Sequence, residues 1–574
     1  MILSKRTGIS RAISTTLVVV LLVIIILAGV AVYYYATPGT SSTTTSSTTS
    51  KTTTYKNSIV IGTTDSVQST VDPADAYDYF GINVIENIGD GLVDYRPGTS
   101  QYVPGLATSW NASADGKVWT FFLRQNVKFP DGTAFNANVV NYSVNREFAI
   151  QEAEGPFVGA GIGGTGAQCC GVLNHTQVMG PYKINFYLNQ PYTAFLGMMA
   201  FTALYPVNPN VAVMPTHVYP GSNTGVLNYT GAIATENPNG LGPYTLTTWQ
   251  RSAGKDVEMD LTANPSYWNA SGGWPKTPNI VIKFFSDSTS LALALNNGEI
   301  DVAYRQLAPT DISTYQTNSN YKVWKGPGTF IQYLVFNLKD TALTQTVRQA
   351  IAAALNRSAI VSNVFQGSAQ NLYSMIPIGM AYHTDAFKTA YGDANVAKAE
   401  SLLTQAGYSS THKLSLNLTY PTGHYASTDG IALQIKQALE KTGMMTVTTT
   451  PQPWSSYKTS TKNDQLQAYI YGWYPDYIDP YDYTAPFFPA DGVGFLHTNW
   501  VNATANTLIS QIAGTSDAGA LATQYSKVQN IISQAAPVIP LFQGTSIAVS
   551  TPKVSGIVLD ITTIFRYYTI RATT

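Results

Sequence analysis

The segment from Pro104 to Arg146 constrains the fold of this chain more than any other stretch of similar length. Lys117 to Leu123 alternates as a half-buried strand does, and an Asp-Gly pair at Asp115-Gly116 supplies a tight turn directly before it. Asn136 or Asn138 is placed to cap the helix that follows. The segment therefore predicts a strand and a helix joined by short turns, and it contains no catalytic motif.

The N-terminal residues predict a membrane segment. Lys5, Arg6 and Arg11 precede an uncharged apolar run from Thr15 to Tyr35. As a helix, this run spans about 32 Å, which is enough to cross the hydrocarbon core of a bilayer. Because basic flanks stay on the cytoplasmic side, the remainder of the chain is expected outside the cell. We therefore predict that residues 1–36 are a signal or anchor segment with one transmembrane helix.

Two routes of processing stay open for this segment. The apolar run is longer than an ordinary secretory signal and lacks a convincing small-x-small cleavage site, which favours an uncleaved anchor. Alternatively, Lys5-Arg6-Thr7-Gly8-Ile9 resembles the pilin-type signals of archaeal surface proteins, which are cut after the glycine. Either route leaves the chain tethered to the membrane.

Thr40 to Thr54 is almost pure Ser and Thr. Such a composition buries too little apolar area to offset the entropy of ordering, so residues 37–55 are predicted to form a solvated linker. The composition of residues 56–574 is globular, and this body opens with an apolar run, Ser58 to Thr63, that is predicted to be a strand. About 520 residues are too many for one hydrophobic core. The body is therefore expected to have two or more lobes.

Composition and motifs argue against several classes of function. Charged residues make up 11% of the chain and the net charge is −1, so no nucleic acid partner is expected.

The two cysteines, Cys169 and Cys170, are adjacent, which suits neither a zinc site nor a Cys-x-x-Cys pair. They form either a vicinal disulfide or two free thiols, and the sequence leaves both alternatives open. Gly159 to Gly164 fits G-x-G-x-x-G without a framing strand and helix, and no H-E-x-x-H, G-x-S-x-G or G-x-x-x-x-G-K-[ST] motif is present. We expect no enzyme activity, no cofactor and no metal.

Asparagine-linked glycosylation is a further expectation. Eight Asn-x-Ser/Thr sequons are spread over the body, a distribution that fits an exposed, secreted glycoprotein. They lie at Asn111, Asn141, Asn174, Asn228, Asn269, Asn356, Asn417 and Asn502.

Seven motifs follow one another along the body and together point to a family. They are Pro104–Arg146, Gly240–Trp249, Asn264–Trp268, Leu295–Asp301, Val347–Arg357, Ala397–Tyr408 and Tyr469–Tyr483. In content and order they resemble the signatures of the family 5 solute-binding proteins, the oligopeptide- and dipeptide-binding components of ABC importers. The resemblance covers essentially the whole body.

The resemblance implies an α/β fold of the periplasmic-binding-protein-like type II. This fold is bilobal with an extra inserted lobe, hence three-lobed, and here the N-terminal transmembrane helix would precede it. The implied boundaries are 56–95, 236–325 and 545–574 for lobe I, 96–235 for lobe II and 326–544 for lobe III. ABC permease and ATPase subunits are the implied partners of a monomeric body.

The richest candidate for ligand chemistry is Tyr469 to Tyr483, in which six tyrosines and one tryptophan surround three acids. Large rings with a few directional acceptors are typical of a small-ligand cleft. The resemblance implies that Asp476 pairs with the α-ammonium group of a peptide, with Trp473 and Tyr477 beside it. Asp479-Pro480 is expected to form a turn instead.

Two more positions are candidates for the cleft wall. Trp454 matches the position where the family often has an acid-Trp pair, although Pro453 replaces the acid here. Tyr77 and Tyr79 fall where peptide-binding relatives align the ligand along a lobe I strand, a mode in which backbone hydrogen bonds give affinity. The alternative for the two tyrosines is an ordinary role at the start of a helix.

These features predict a receptor at the cell surface, anchored on the extracellular face of the cytoplasmic membrane. It would capture peptides by lobe closure and deliver them to the permease. An oligosaccharide-binding receptor on the same scaffold is the alternative, because sugar rings also stack on Trp and Tyr. A structural cell-surface protein with a vestigial cleft is a third reading.

Overall fold

The computed structural model has an α/β fold built on a mixed sheet of eleven strands. It describes residues 54–67, 70–74, 76, 78–150, 172–212, 240–422, 424–562 and 564–574. Thr54 to Thr574 form one unit.

Several sequence predictions lie outside the described residues. They concern the membrane segment at 1–36, most of the linker at 37–55, the glycine-rich stretch at 159–164, Cys169-Cys170 and the sequon at Asn228. None of the helices in the described ranges combines the length and the apolar character needed to span a bilayer.

The strands, numbered in chain order, have the following bounds. They are β1 Ser58–Thr63, β2 Val93–Tyr95, β3 Tyr102–Pro104, β4 Ala107–Ala112, β5 Val118–Leu123, β6 Leu173–Gly180, β7 Lys183–Leu188, β8 Tyr244–Ser252, β9 Lys255–Ala263, β10 Asn279–Phe284, β11 Val302–Tyr304, β12 Lys322–Phe336, β13 Ala369–Asn371, β14 Leu414–Thr422, β15 Met445–Pro453, β16 Ala468–Trp473, β17 Val538–Ser550, β18 Val554–Ser555 and β19 Arg571–Ala572.

The α-helices are numbered in the same way. They are α1 Tyr79–Ile88, α2 Ala137–Ile150, α3 Phe195–Met199, α4 Ser288–Asn296, α5 Pro309–Thr317, α6 Gln345–Ala354, α7 Arg357–Ala359, α8 Ala386–Tyr391, α9 Val396–Gln405, α10 Thr428–Glu440, α11 Trp454–Lys462, α12 Ala503–Ala513 and α13 Ala518–Ala535.

The large sheet runs in the order β15-β14-β16-β12-β17-β11-β1-β10-β9-β8, and β13 pairs with β17 outside this path. β1 is parallel to both of its neighbours, β10 and β11, and its Ile59 and Ile61 are buried. A strand covered on both faces needs such an apolar sequence. The strand predicted at Ser58–Thr63 is confirmed with the same bounds.

β12 and β17 form the long antiparallel pair at the centre of the sheet, from Lys322 opposite Ser550 to Val335 opposite Val538. The pairing is irregular between Pro327 and Ile331. Here the backbone of a neighbouring segment approaches closely: a Cβ added to Gly326 would lie 2.1 Å from the carbonyl oxygen of Leu559. Only glycine fits at that point, and the contact fixes the C-terminal segment against the central pair.

A separate antiparallel sheet, in the order β4-β5-β7-β6, contains the strand predicted at Lys117–Leu123. That strand is β5, Val118–Leu123, and the turn before it holds Gly116 at a φ of 68°, which favours glycine. Asn136, the first of the two proposed caps, begins α2: its Oδ1 accepts from the backbone N–H of Val139 over 3.2 Å. The strand, turn and cap are thereby confirmed.

The hydrophobic core has two large parts among the described residues. One runs from the four-stranded sheet to β12, β14, β16 and β17, and the other joins α1 to β1, β8 to β10 and the C-terminal residues. The division into three lobes with the boundaries given above stays a prediction.

Candidate functional site

A cavity of about 920 Å³ opens among side chains from distant parts of the chain. Its walls are supplied by α1, the loop after β11, the middle of β12 and β17, residues 424–427, the start of α11 and residues 471–478. Small organic ligands occupy cavities of about 300–1,000 Å³ in proteins. The cavity is therefore the candidate binding site.

Five of the six site residues predicted from the sequence line this cavity: Asp476, Trp473, Tyr477, Trp454 and Tyr79. Tyr77, the sixth, lies outside the described residues. The fold thus brings together positions from both ends of the body. Their contact with a ligand stays a prediction.

Asp476 stands in front of a second carboxylate. It follows the end of β16 and is 8% exposed. The indole Nε1 of Trp473 and the backbone N–H of Asp476 both donate to Oδ2 of Asp482, each over 3.0 Å. Asp482 is fully buried, and burial together with the negative charge of Asp476 holds the pKa of its carboxyl well above the usual range. Two neighbouring carboxyls of this kind favour a cation in contact with them.

Asp479, the middle one of the three acids in the segment, makes a structural contact. Its Oδ1 accepts from the backbone N–H of Tyr481 over 2.8 Å, which caps the short 3-10 helix Pro480–Tyr483. The turn expected at Asp479-Pro480 is therefore present. Asp482 was not among the site residues predicted from the sequence, although it is the next acid in the same segment.

Trp473 and Tyr477 are mostly enclosed by protein. Trp473 is 3% exposed and makes edge contacts with Phe487 and Phe495 at centroid distances of 5.1 and 4.7 Å. The hydroxyl of Tyr477 shares a hydrogen bond of 2.8 Å with that of Tyr192. Both residues therefore shape the acidic end of the wall more than they offer an open ring face.

A series of aromatic rings runs along another wall of the cavity. Trp454, the first residue of α11, stacks on His424 with ring centroids 3.7 Å apart and planes 8° from parallel. Tyr425 packs against both this tryptophan and Phe330, and Phe330 stacks on Tyr474 at 4.4 Å. We call these five rings the aromatic strip.

The imidazole in the aromatic strip is uncharged near neutral pH. Burial of His424, with the positive charges of Lys458 and Arg305, lowers its pKa to about 4. The strip therefore presents a neutral ring surface to the cavity. The sequence predicted Trp454 as a site residue and placed Tyr474 in the candidate segment Tyr469–Tyr483, whereas His424 and Phe330 have no pattern of residues around them that marks a site.

Arg305 lies at the Tyr474 end of the strip, against two tyrosine rings. Its guanidinium carbon is 3.6 Å from the ring centroid of Tyr79 and 5.2 Å from that of Tyr474, and Nη2 donates to the Tyr474 hydroxyl over 2.8 Å. Its Nη1 is 3.4 Å from Oδ2 of Asp65, whose Oδ1 accepts a hydrogen bond of 2.9 Å from Gln306. The sequence gives no sign of this group, because its members become neighbours only through the fold.

Three more carboxyls, Glu86, Asp90 and Asp94, gather at the far end of α1 and form an acidic cluster. Glu86 lines the cavity, and its Oε2 accepts from the Tyr205 hydroxyl over 2.8 Å. Oδ2 of Asp90 accepts from the indole of Trp268 over 2.6 Å. Burial, followed by the negative charge of Asp94, raises the pKa of Glu86 and that of Asp90 to about 8 each. The cluster therefore holds protons at neutral pH.

Within the described ranges, no group of three or more His, Cys, Asp or Glu side chains is arranged to hold a metal ion. The cavity instead combines separate carboxylates and cations with aromatic walls. This arrangement suits non-covalent binding of an organic solute with polar ends.

Comparison with known families and proteins gives a match over most of the body. Residues 101–495 match the model of the "Bacterial extracellular solute-binding proteins, family 5 Middle". The chain is 27% identical over 523 residues to the probable D,D-dipeptide-binding periplasmic protein DdpA of Escherichia coli (strain K12). That alignment covers 88% of this chain and 92% of the relative.

Solved structures share the fold. The periplasmic binding protein DppA from Helicobacter pylori, in complex with the peptide STSA, gives a TM-score of 0.75 at 23% identity and covers 91% of this chain and 99% of its own. The dipeptide binding protein from Pseudoalteromonas sp. SM9913, in complex with Met-Leu, gives a TM-score of 0.73 at 20% identity, with coverages of 90% and 100%. The predicted α/β, periplasmic-binding-protein-like fold is thereby confirmed.

Proposed function

Because the chain belongs to the bacterial extracellular solute-binding proteins of family 5, which are binding proteins and not enzymes, we propose that it is the peptide-capturing receptor of an ABC importer. In this role it binds a di- or oligopeptide outside the cell. It then presents the loaded form to the permease, whose transport is driven by the ATPase subunits.

The observation that carries this proposal is the position of Asp476 at the cavity wall with Asp482 directly behind it. An α-ammonium group placed against Asp476 would offset the cost of holding two carboxyls away from water. The aromatic strip would supply apolar contact for the side chains of the same peptide. The dipeptide-binding name of the curated relative supports the same solute class.

Lobe closure is the proposed mechanism of capture. Residues 328–330 and 544–547, from the middle of β12 and β17, line the cavity next to the irregular pairing between Pro327 and Ile331. An interrupted ladder bends more readily than a regular one, so this point is a suitable hinge between lobes I and III. A ligand held from both sides would stabilise the closed form, and the permease need only distinguish closed from open.

We further propose that the receptor is tethered to the extracellular face of the cytoplasmic membrane. The basic residues and apolar run within residues 1–36 support an anchor, and the Ser/Thr-rich composition of residues 37–55 supports a spacer. A tether would keep the receptor close to its permease.

An oligosaccharide receptor is the second candidate, and the aromatic strip is the feature that favours it. Sugar rings stack their C–H faces on Trp and Tyr, and the strip offers the Trp454 indole to the cavity. The paired carboxyls at Asp476 and Asp482 favour the peptide, because a neutral sugar brings no positive charge to them.

A thermal-shift screen separates the two candidates. A ligand that binds only the folded state raises the melting temperature, so the full-length receptor should be stabilised by Met-Leu or Ser-Thr-Ser-Ala and not by maltotriose or cellotriose. Stabilisation by the sugars alone would move the function to carbohydrate uptake.

A further inference from the structure

Asp482 is a buried carboxyl, and the fold leaves one of its two oxygens without a partner. Oδ2 accepts from the indole of Trp473 and from the backbone N–H of Asp476. Oδ1 is enclosed as well, yet it makes no hydrogen bond with any residue that the structure describes. An ionised oxygen in that position would have neither water nor a donor to stabilise its charge, which is costly. A proton on Oδ1 removes this cost.

The titratable groups around Asp482 are carboxyls and phenols. They are Asp476 and Asp479 in the same segment, Tyr477 and Tyr483 beside them, and Tyr333 on β12. Burial and the charge of Asp482 raise the pKa of the Tyr333 hydroxyl, which is itself fully buried and makes no hydrogen bond within the described ranges. A carboxylate with such neighbours has no positive charge to balance its own, so the neutral form of Asp482 is favoured.

We propose that binding of a peptide displaces a proton from Asp482, so that capture of the solute is coupled to pH. The inference rests on the proposed peptide-binding function, in which an α-ammonium group lies against Asp476. Without a ligand, the two carboxyls share one proton and one negative charge. When the ammonium group arrives, the O–H bond of Asp482 breaks, the carboxylate keeps the electron pair, and the proton passes to the solvent.

The contact between the two carboxyls makes this exchange favourable. Oδ2 of Asp482 is bonded to the backbone of Asp476, so a charge placed against Asp476 acts on Asp482 through a buried setting where electrostatic interactions are strong. A cation in contact with neighbouring carboxyls favours the ionised form of both. The exchange brings one positive charge in and takes one out, so the net charge of the site stays the same.

The consequence is an affinity for peptides that rises with pH. Because the complex holds one proton fewer than the two free partners, affinity increases by up to about tenfold per pH unit while Asp482 is protonated in the free receptor. The α-amino group of a peptide, with a pKa of about 7.7–8.0, stays charged below pH 7. His424, whose pKa is about 4, stays neutral above pH 5.5. The window from pH 5.5 to 7 therefore reports on buried carboxyls.

The test is isothermal titration calorimetry of the full-length receptor with Met-Leu at pH 6.5, in phosphate and in Bis-Tris buffer. Bis-Tris takes up a proton with a much larger heat change than phosphate, so the binding enthalpy should differ between the buffers by the amount for about one proton per peptide. From pH 5.5 to 7 the affinity should rise about tenfold or more. N-acetyl-Met-Leu brings no ammonium group and should release no proton.

Two variants locate the proton. Asp482→Asn keeps an acceptor for Trp473 and Asp476 but has no proton to release, so its binding enthalpy should be the same in both buffers and its affinity should change less than about twofold across the window. Asp479→Asn is the matched control, because burial raises the pKa of this neighbouring carboxyl to about 6, inside the window. Its amide oxygen can still accept from Tyr481, and the variant should release the proton as the wild type does.

Equal binding enthalpies of the wild type in the two buffers would overturn this inference and leave peptide binding intact. A buffer dependence that survives in Asp482→Asn and disappears in Asp479→Asn would overturn it too, and so would an equal release of protons with N-acetyl-Met-Leu. If the wild type does not bind Met-Leu or any other peptide, the proposed function fails and this inference with it.

Discussion

The backbone N–H of Asp476 donates to Oδ2 of Asp482 over 3.0 Å, so a fully buried carboxyl stands directly behind the one that faces the cavity. The same oxygen also accepts from the indole of Trp473. Asp482 thus fixes the position of Asp476, and because its pKa is raised by burial and by Asp476, it ionises more readily when a positive charge lies beside the pair. The proposed recognition of an α-ammonium group depends on this pair.

Asp482→Asn tests the electrostatic part of that relationship. The amide oxygen of Asn can still accept from Trp473 and Asp476, so the fold should hold, but this position can no longer ionise when an ammonium group binds beside it. We expect the affinity for Met-Leu to fall about tenfold by calorimetry.

Asp482→Ala is the contrasting variant. It leaves two buried donors without an acceptor, each at a cost of about 1–3 kcal/mol, and should lower the free energy of unfolding measurably. An Asp482→Asn protein that binds Met-Leu as tightly as the wild type would show that the second carboxyl has no part in recognition.

The acidic cluster predicts a loss of stability at mildly alkaline pH. Glu86 and Asp90 have pKa values of about 8 in the folded state, against about 4 in an unfolded chain. The folded state therefore holds the extra protons, and the stability that they confer is lost as the pH rises towards 8. Buried histidines such as His424, whose pKa is lowered, oppose this trend only below about pH 6.5.

The window from pH 6.5 to 8.5 lies above the range in which His424 opposes the fall. The melting temperature should fall across it, and Glu86→Gln, which keeps an acceptor for Tyr205, should make the fall shallower. An identical slope for this variant and the wild type would exclude Glu86 as a source of the pH dependence.

The substitution Gly326→Ala tests the close contact between the central strand pair and the backbone at Leu559. A Cβ at this position would meet the carbonyl oxygen of Leu559 at 2.1 Å, so Gly326→Ala forces the C-terminal segment away. We expect the free energy of unfolding in urea to fall by about 1–3 kcal/mol.

Gly519→Ala is the control for that substitution. Gly519 lies in α13, where a Cβ would meet its nearest neighbour, a side-chain atom of Asp517, at 3.3 Å, and alanine favours the helix by about 1 kcal/mol. This variant should be as stable as the wild type or more so. If the Gly326→Ala protein were as stable as the wild type, the segment at Leu559 could move away from residue 326 without a cost in free energy.

The parts of the fold that could be predicted from the sequence are those with a local pattern. The strand at Ser58–Thr63, the strand after Gly116 and the cap at Asn136 each depend on residues close together in the chain. The same is true of the acidic and aromatic segment Tyr469–Tyr483, which contains Asp476.

The remainder of the site could not be found in this way. Asp65, Arg305 and His424 come from three separate segments, and none has a neighbour in sequence that hints at a shared cavity. Their roles arise from strand order, which places β1, β11 and β14, the strands that precede them, in one sheet. Arg305 and Gln306 both have positive φ angles, 65° and 60°. Glycine or asparagine would have indicated such a turn in the sequence, but arginine and glutamine rarely adopt it.

The most direct test of the account is whether the α-ammonium group of a peptide is recognised at Asp476. Calorimetry of the full-length receptor with Met-Leu, N-acetyl-Met-Leu and the Asp476→Asn variant measures this. We predict that N-acetylation weakens binding to the wild type about 10- to 100-fold, and that Asp476→Asn binds both forms equally weakly. Equal affinity of the wild type for the free and acetylated peptide would contradict the account.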